Sequence, residues 1–460
     1  VTLGEKVTTI GDGAFTGCEK LIEVINYSKL NISCNEKGNG GVGYYALNIK
    51  TSGESDIIYE NGFAFYLYNG IYYLVDYAGS DTKLLLPAKY LDNEYEIYKY
   101  AFAYLTAIKS VIIPDGVCAI GDFAFLHCDG LDEVRIADTV VKIGKNAFDY
   151  CPISKIKGKT TIIAELPKNN LTTAEITDGD TITEGLFDGC SLLAEISISD
   201  SVTDIKANAF KDCVNLKSIV VGDNVTSIGS SAFESCLRLE KITMGSGVRA
   251  IGSGAFYGCA RLKEVDIKSI DSWCEISFDG ENSNPLNGGG SLFLNGERVT
   301  ALVIPDSITQ IKPYAFCCFS GLKSVVFPQS LTKIGAHAFD SCSGLSTLVI
   351  PDKVTLIDYG AFYNCYNLVS VTLGKSVNDI KDYLSYNENE SFGGCPKLLE
   401  VVNHSTITLS LHSDVYGNIV KNAIVIKTEG ESAIDEKDDF LFYTYEGKDY
   451  LVGYIGNETN

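Results

Sequence analysis

The sequence contains few residues of several types that carry function. Its 460 residues include one methionine, one tryptophan and four histidines, and 37 lysines and arginines face 59 aspartates and glutamates, for a net charge of −22. Such a charge repels phosphate backbones, so we exclude nucleic acid as a partner. No apolar run approaches the roughly 18 residues of a membrane span, and no leader peptide opens the chain. We therefore expect no membrane insertion within this sequence, and any export signal or anchor to lie outside it.

Signatures of catalysis and metal binding are also scarce. The histidines lack metal-ligand spacing, and we interpret them as incidental surface residues: His127, His337, His404 and His412. The acidic stretches 178–180 and 436–439 lack the alternating ligands of a calcium loop, which leaves at most a loosely held cation. No pair of carboxylates is nominated for glycoside hydrolysis. The sequence therefore predicts no catalytic residue, no metal site and no cofactor.

What the sequence has in abundance is a repeated unit that reads Ile-Gly-x-x-Ala-Phe-x-x-Cys-x-x-Leu. A fixed period in the range of about 20 to 50 residues indicates one stacked array rather than separate globular cores. The phenylalanines of this unit lie 23 residues apart within three groups, which are Phe102, Phe125 and Phe148, then Phe187, Phe210, Phe233 and Phe256, then Phe316, Phe339 and Phe362.

The unit from 216 to 239 shows how each repeat is expected to fold. Leu216, Ile219 and Val221 have the spacing of a short strand that is buried on one side. After a turn and a second extended piece, the apolar residues from 232 to 239 recur at helical spacing. Because a single unit cannot close a core and stacked units can, we predict a mainly β repeat solenoid with short strands and short helical turns.

These residues resemble a known family. Stretches such as Val117-x-x-Ile120-Gly121-x-x-Ala124-Phe125-x-x-Cys128-x-x-Leu131 are similar to the BspA-like, or treponemal-type, leucine-rich repeats of bacterial and some protist surface and secreted proteins, and the similarity covers most of the chain. The resemblance implies a right-handed leucine-rich repeat superhelix with an extracellular, cell-surface or secreted location. It also implies a binding role, since some relatives act in adhesion to host or matrix molecules.

The cysteine of the repeat allows two interpretations. It is consistent with a disulfide or metal framework in an exported protein, or with a free thiol that packs as a small apolar group. We favour packing, because Leu105 and Phe319 replace this cysteine in two coils. The predicted structural ladder comprises Phe125, Cys128, Phe210, Cys213, Phe233, Cys236, Phe256, Cys259, Phe339, Cys342, Phe362 and Cys365.

Interruptions of the period divide the chain. Inserts in solenoids usually map to loops on one face, which is often a binding face. The insert at 268–298 holds the single tryptophan and closes with Asn295-Gly296 between apolar residues, a strong hairpin signal. The predicted organisation is a partial repeat at 1–17, a hairpin-containing inserted module at 18–83, leucine-rich repeats at 84–267 with an insert near 152–176, the insert at 268–298, leucine-rich repeats at 299–394 and a second, truncated copy of the module at 395–460.

The module is a duplication, since 18–81 and 395–458 align without a gap. Each copy ends in an aromatic hairpin, turning at Asn69-Gly70 or Glu446-Gly447. The rings either form a platform for a glycan or protein ligand or pack across strands; the sequence favours packing, and contiguous exposed rings would support the platform. The candidate ligand-binding tyrosines are Tyr66, Tyr68, Tyr72, Tyr73, Tyr77, Tyr443, Tyr445, Tyr450 and Tyr454. Both ends of the sequence are expected to lie inside units of a longer protein.

The strand face is a second candidate surface. The third and fifth residues of Leu-x-x-Val-x-Ile are expected to point outward, and solenoids commonly bind ligands on such faces. The mixed charges indicate no ligand class, and a merely solvated face is the favoured alternative. The candidates are Glu133, Arg135, Lys241, Glu264 and Asp266.

Three functions are compatible with these features. The first is a non-catalytic surface protein that binds a host, matrix or glycan ligand through its solenoid and inserts. The second is a passive structural spacer that presents other domains. The third and least favoured is a carbohydrate-active enzyme, which needs a carboxylate pair across a cleft.

Overall fold

Apolar residues at alternate positions build short strands, and the structure places these strands side by side in parallel sheets with one strand from each repeat. The computed structural model describes residues 1–381, 390–445 and 447–454. The chain divides into two units, Val1–Gly179 and Asp180–Asn460. The prediction of a mainly β leucine-rich repeat solenoid is confirmed, with very little helix in the described residues.

The first unit is made of short strands, one α-helix of a single turn and a 3-10 helix at Asn39–Gly41. Its elements are β1 (Thr2–Leu3), β2 (Glu23–Asn26), β3 (Asn48–Lys50), β4 (Ile58–Glu60), β5 (Phe63–Tyr68), β6 (Ile71–Tyr77), β7 (Lys83–Leu85), β8 (Tyr95–Ile97), β9 (Ser110–Ile113), β10 (Val117–Ile120), β11 (Glu133–Ile136), β12 (Lys142–Ile143), β13 (Lys155–Gly158), α1 (Thr160–Ile163) and β14 (Thr173–Ile176).

The second unit has the same character, with a 3-10 helix at Glu281–Ser283. Its described elements are β15 (Thr181–Ile182), β16 (Glu195–Ser197), β17 (Asp204–Ile205), β18 (Ser218–Val220), β19 (Ser227–Ile228), β20 (Lys241–Met244), β21 (Ala250–Ile251), β22 (Glu264–Ile267), α2 (Ile270–Cys274), β23 (Ser277–Phe278), β24 (Ser291–Leu294), β25 (Glu297–Arg298), β26 (Ala301–Val303), β27 (Gln310–Ile311), β28 (Ser324–Val326), β29 (Lys333–Ile334), β30 (Thr347–Val349), β31 (Leu356–Ile357), β32 (Ser370–Leu373), β33 (Asp379–Ile380), β34 (Glu400–Asn403), β35 (Val425–Lys427), β36 (Ile434–Lys437), β37 (Phe440–Tyr445) and β38 (Lys448–Tyr454).

Each regular coil contributes one strand to each of two parallel sheets. In the first unit β7, β9, β11, β13 and β14 form one sheet, and β6, β8, β10 and β12 lie in another. In the second unit β18, β20, β22 and β24 form one sheet, and β15, β17, β19, β21 and β23 form another. Regular neighbours are one period apart, as in the pairing of Ser110 with Glu133. Every outward residue of a strand therefore lies beside its counterpart in the next coil.

The segment around each ladder phenylalanine consists of tight turns. On either side of Phe125, Phe123 and His127 have φ of 58° and 54°, and these left-handed residues end any helix. Alternate amides then reach the next coil, since Phe125 N donates to Ala147 O at 2.7 Å. The helical spacing predicted here is thus realised as hydrogen-bonded turns rather than helices. Their amides add a further ladder of hydrogen bonds between coils.

The phenylalanine rings form continuous stacks in the core. In the first unit Phe102, Phe125 and Phe148 follow one another with centroids 4.8 Å apart and planes inclined by 4°. In the second unit Phe210 and Phe233 are 5.2 Å apart. Strand spacing of about 4.8 Å sets this distance, so each ring fills the space between the rings of its neighbours.

The ladder cysteines lie beside these stacks as free thiols. Cys128, Cys213, Cys236 and Cys342 are fully buried, and each Sγ donates to the carbonyl oxygen of a phenylalanine in the preceding coil; for Cys236 the acceptor is Phe210 O, at 3.2 Å. The thiol therefore contributes a weak hydrogen bond between coils as well as apolar bulk.

The tryptophan-containing insert completes a coil of the second unit. Trp273 is buried, and its Nε1 donates to Ala315 O at 2.8 Å. The buried Asn284 donates from Nδ2 to Tyr314 O at 2.7 Å. At the end of the insert β24 and β25 pair antiparallel around Asn295-Gly296. The insert thus serves chiefly as packing.

Candidate ring-binding site on the turn side

The tyrosines of the first hairpin are largely packed. Tyr66 and Tyr77 are buried, while Tyr68, Tyr72 and Tyr73 are half-buried. Burial raises the pKa of the Tyr66, Tyr73 and Tyr77 hydroxyls above the ordinary value. The contiguous exposed rings that a platform requires are absent from these five residues.

The second hairpin differs in exposure. Tyr443 is buried, whereas Tyr450 and Tyr454 are exposed. The side chain of Tyr445, and Glu446 at the predicted turn, lie outside the described residues.

The charged candidates on the strand faces bond to one another or to nearby backbone. Glu133 Oε1 and Arg135 Nε are 2.6 Å apart, and Lys241 Nζ lies 3.2 Å from Glu264 Oε2. Asp266 accepts a hydrogen bond from Gly296 N at 3.0 Å. These are partly exposed pairs of the kind that stabilise a fold little. They leave no concentration of one charge that would select a ligand.

The turn side of the first unit presents a different surface. Two residues after each ladder phenylalanine stand Tyr104, His127 and Tyr150, and we call these three the aromatic stack. The His127 ring lies 5.6 Å from Tyr104 with an interplanar angle of 13°, and 4.2 Å from Tyr150 with an angle of 2°. Tyr104 and Tyr150 are 56% and 70% exposed. Large rings are therefore held parallel at the surface, where they bury little area.

The backbone at these positions is unfavourable for such residues. Tyr104, His127 and Tyr150 have φ of 68°, 54° and 61°, a region where bulky residues cost of order 1 kcal/mol or more each. Other described coils carry small or polar residues at the same position: Gly189, Asp212, Ser235, Gly258, Cys318, Ser341, Asn364 and Gly394. The left-handed backbone is shared by this turn in other coils, for example at Asp212 with φ of 57°. What distinguishes the three positions is the large ring that each carries.

The stack ends at Tyr150 because the next coil is short. Lys155 on β13 pairs with Thr173 on β14, only 18 residues later, where regular coils use 23. This coil contains α1 instead of a phenylalanine turn. Lys168 Nζ donates to the carbonyls of Ile163 and Ala164 at 3.3 and 3.0 Å, which fixes the loop after α1. The outer face of the Tyr150 ring is thereby left uncovered.

A cleft of about 500 Å³ lies beside this ring, and we call it the ring slot. Its polar groups include the exposed amides of Asn169 and Asn170 and the carboxylate of Asp129. Asp129 Oδ1 lies 3.4 Å from His127 Nδ1, whereas the two amides have no hydrogen-bond partner within the described part of the chain. The remaining lining residues are His127, Tyr150, Cys151, Pro152, Ile153 and Pro167. One flat ring and a few free polar groups are typical of a small-ligand site.

The second unit has a cleft of about 550 Å³ on its own turn side. It holds His337, whose Nδ1 lies 2.8 Å from Asp340 Oδ2 and whose ring stacks on Tyr314 at 5.2 Å. Burial raises the pKa of Tyr314. Ser341 Oγ donates to Asp340 Oδ1 at 2.8 Å, so this serine is bonded to the carboxylate and not to the imidazole, unlike the serine of a catalytic triad. In the described residues no group of three or more His, Cys, Asp or Glu is placed to hold a metal ion.

Comparison with protein families identifies the repeat. The model of the BspA type leucine rich repeat region matches in six copies, at residues 1–37, 95–178, 167–284 and 289–418. The chain belongs to the BspA-type leucine-rich repeat family. The stacks of phenylalanine and cysteine are the core of that repeat. The comparison with curated proteins returns no match.

Solved structures with similarity to this BspA-type chain include three bacterial proteins. A leucine-rich repeat protein from Bacteroides ovatus is 21% identical over 76% of this chain and 94% of its own, with a TM-score of 0.41. A leucine rich cell surface protein from Faecalibacterium prausnitzii is 22% identical, with coverages of 82% and 96% and a TM-score of 0.32. The pneumococcal vaccine antigen PcpA is 17% identical, with coverages of 82% and 99% and a TM-score of 0.36.

Sequence reasoning did not nominate the aromatic stack of this BspA-type protein. It treated His127 as incidental and did not single out Tyr104 or Tyr150. A usable signal was present, because these three positions carry rings where the other coils carry small or polar residues. The open ring slot had no such signal, since it depends on how the short coil folds.

None of the described helices is long and apolar enough to span a bilayer.

Proposed function

We propose that this BspA-type protein is a non-catalytic binding protein that recognises neutral glycans through the ring slot. The observation that carries the proposal is the uncovered, 70% exposed face of Tyr150 at the end of a strained aromatic stack. The slot volume of about 500 Å³ suits a site for one or two sugar rings. The location that accompanies this function is the cell surface, as described for the Faecalibacterium prausnitzii protein.

The chemistry of the slot supports a sugar over other ligands. A pyranose has an apolar face of C–H groups that packs on a flat tyrosine, and a rim of hydroxyls that bond to amides and carboxylates. Asn169, Asn170 and Asp129 offer those donors and acceptors beside the ring. The net charge of −22 and the Asp129 carboxylate repel sulfated or phosphorylated glycans. A neutral ring is therefore the favoured ligand.

In this proposal the protein binds the glycan and does not hydrolyse it. Glycoside hydrolases use two carboxylates about 5 to 9.5 Å apart. Among the described residues that line the slot, Asp129 is the one carboxylate. A sugar held there has a stacking surface and hydrogen-bonding groups but no acid and base pair.

Truncating the ring tests the proposal. We expect the full chain to bind one or more neutral glycans on an array, and Tyr150→Ala to weaken that binding about tenfold or more, as removal of a stacking platform does. Tyr150→Phe keeps the ring and is expected to retain binding. Isothermal titration with the best glycan from the array measures both. Tyr257→Ala is the matched control, because Tyr257 is also exposed but lies outside the slot.

Two outcomes would contradict the proposal. Equal loss with Tyr150→Ala and Tyr257→Ala would show that the slot is not the site. Failure of the unaltered chain to bind any glycan or matrix protein would favour the passive spacer.

A further inference from the structure

Two cysteines of the second unit are neighbours in the chain, and their side chains meet. Cys317 and Cys318 follow the ladder residue Phe316, and their Sγ atoms are 3.4 Å apart. Both are free thiols. Cys317 N donates to Tyr314 O within the same turn at 3.2 Å, and Cys318 N donates to the backbone of the next coil at 2.7 Å. The solenoid therefore fixes the backbone that holds the two sulfur atoms close.

The two thiols differ in exposure and in acidity. Cys317 is 1% exposed, whereas Cys318 is half-buried. The hydrogen bond between the sulfur atoms lowers the pKa of the Cys318 thiol and raises the pKa of the Cys317 thiol from the ordinary value. An exposed thiol that ionises readily is the one that attacks disulfides. Cys318 is thus placed as the attacking thiol, with Cys317 as a resolving thiol beside it.

The ladder cysteines of the same unit lack these properties. Cys213, Cys236 and Cys342 are fully buried, and each donates to a backbone carbonyl of the preceding coil. Burial raises the pKa of all three thiols. A buried thiol with a raised pKa is inert towards reagents in water. Chemistry at sulfur is therefore favoured at the 317–318 pair over these positions in the core.

We propose that Cys317 and Cys318 form a reversible redox site that reacts with small-molecule disulfides. The Cys318 thiolate attacks one sulfur of the disulfide, which forms a mixed disulfide and releases the other sulfur as a thiol. Cys317 then loses its proton, and its sulfur attacks Cys318 Sγ, which forms the bond between the two cysteines and releases the second thiol. The protein loses two protons and two electrons, and the small-molecule disulfide gains them as two thiols.

The strain of the product makes the step reversible. Adjacent Cα atoms are about 3.8 Å apart across a trans peptide, whereas disulfides usually join Cα atoms about 4.4 to 6.8 Å apart. Strained disulfides are the readily reduced ones. Ring closure also removes the proton that Cys318 Sγ donates to Asn287 Oδ1 at 3.5 Å. Oxidation therefore breaks a contact between this turn and the insert at 268–298.

Oxidation of the full chain by glutathione disulfide tests the proposal. The reduced chain is incubated with the reagent and then alkylated with a maleimide in denaturant, so that mass spectrometry of its peptides reports which thiols stayed reduced. We expect the peptide with Cys317 and Cys318 to lose two hydrogens and to escape alkylation, and a low concentration of dithiothreitol to restore it. Loss of the free Cys318 thiol is expected to be about tenfold or more faster than loss of the free Cys118 thiol.

The chain carries matched controls for exposure and for thiol contact. Cys118 is also half-buried, but its Sγ donates to Glu94 at 3.1 Å, and burial together with this carboxylate raises its pKa to about 11. Cys128 and Cys151 are hydrogen-bonded through their side chains, as the 317–318 pair is, but both are buried. We expect these three thiols to remain open to alkylation over the time that oxidises the pair.

Single substitutions separate the two roles. Cys317→Ala is expected to stop at the mixed disulfide, seen as glutathione attached to Cys318. Cys318→Ala is expected to leave Cys317 reduced, because Cys317 is buried. The proposal is overturned if both cysteines of the unaltered chain remain alkylated, if glutathione stays attached to Cys318 there, or if the control thiols oxidise as fast. These three readouts use the unaltered chain, so they hold even where a variant fails to fold.

Discussion

Phe233→Ala is expected to lower the free energy of unfolding of the second unit by about 3 to 5 kcal/mol, as large-to-small changes of a buried phenylalanine do. Phe233 is fully buried, and its ring lies 5.2 Å from Phe210 and 5.3 Å from Phe256. Its removal leaves a gap in the middle of a stack. Neighbouring coils are held at strand spacing by their hydrogen bonds, so they cannot close around the gap.

The measurement is urea unfolding followed by circular dichroism, together with hydrogen exchange of the coils from 187 to 259. Truncation of Tyr257, which follows Phe256 but is exposed, is expected to change stability by less than about 0.5 kcal/mol. A loss below about 1 kcal/mol for Phe233→Ala would contradict the close packing of the phenylalanine stack.

Alkaline pH is expected to unfold the second unit. Burial raises the pKa of the Cys259, Cys274 and Cys395 thiols from the ordinary value of 9.0 to about 12. It also raises the pKa of four further thiols, those of Cys213, Cys236, Cys342 and Cys365. Above pH 9 the unfolded chain releases these protons while the folded unit retains them, so stability falls as pH rises.

The size of this effect follows from the number of thiols. Each contributes roughly 1 kcal/mol of lost stability per pH unit once the unfolded state is ionised. Several acting together reach the order of 10 kcal/mol by pH 11, which equals the whole stability of an ordinary domain. The stability associated with these protonated thiols is fully present below pH 9. For Cys259, Cys274 and Cys395 it is lost as the pH rises from 9 to about 12.

Chemical unfolding at a series of pH values, in the presence of reductant, measures the slope. Cys236→Ala removes one titrating thiol. It is expected to reduce the slope of unfolding free energy against pH, above pH 9, by the contribution of one thiol, although it lowers stability at neutral pH. A control substitution of the exposed Val220 by Ala, which involves no titrating side chain, is expected to leave the slope unchanged. Stability that is independent of pH between 9 and 11 would show that the thiols are not buried as the structure places them.

Much of the fold was predictable because stacking is a local rule applied many times. Alternation such as Leu216, Ile219 and Val221 defines a strand, and the recurrence of Phe233 in neighbouring units defines the stack. The registers then follow, since shifting a coil by one residue would turn its apolar side chains outward. The same logic placed the ladder cysteines in the core without disulfides.

Other features depended on contacts that the pattern does not encode. Helical spacing from 232 to 239 became tight turns, because the amides of Phe233 and Ser235 bond to the next coil while the amides between and after them bond within their own. The tyrosine-rich hairpins looked alike in sequence, yet Tyr77 is covered and Tyr454 is exposed. What covers a residue is decided by segments distant in the chain.

The sequence by itself determined the repeat, the core residues and the absence of an evident reaction signature, because periodicity and residue type act within one or two coils. Tertiary structure alone decided which surface rings are left uncovered. It showed that a short coil leaves the face of Tyr150 open. That opening arises because no phenylalanine turn follows Tyr150 in the next coil, which is visible only once the coils are stacked.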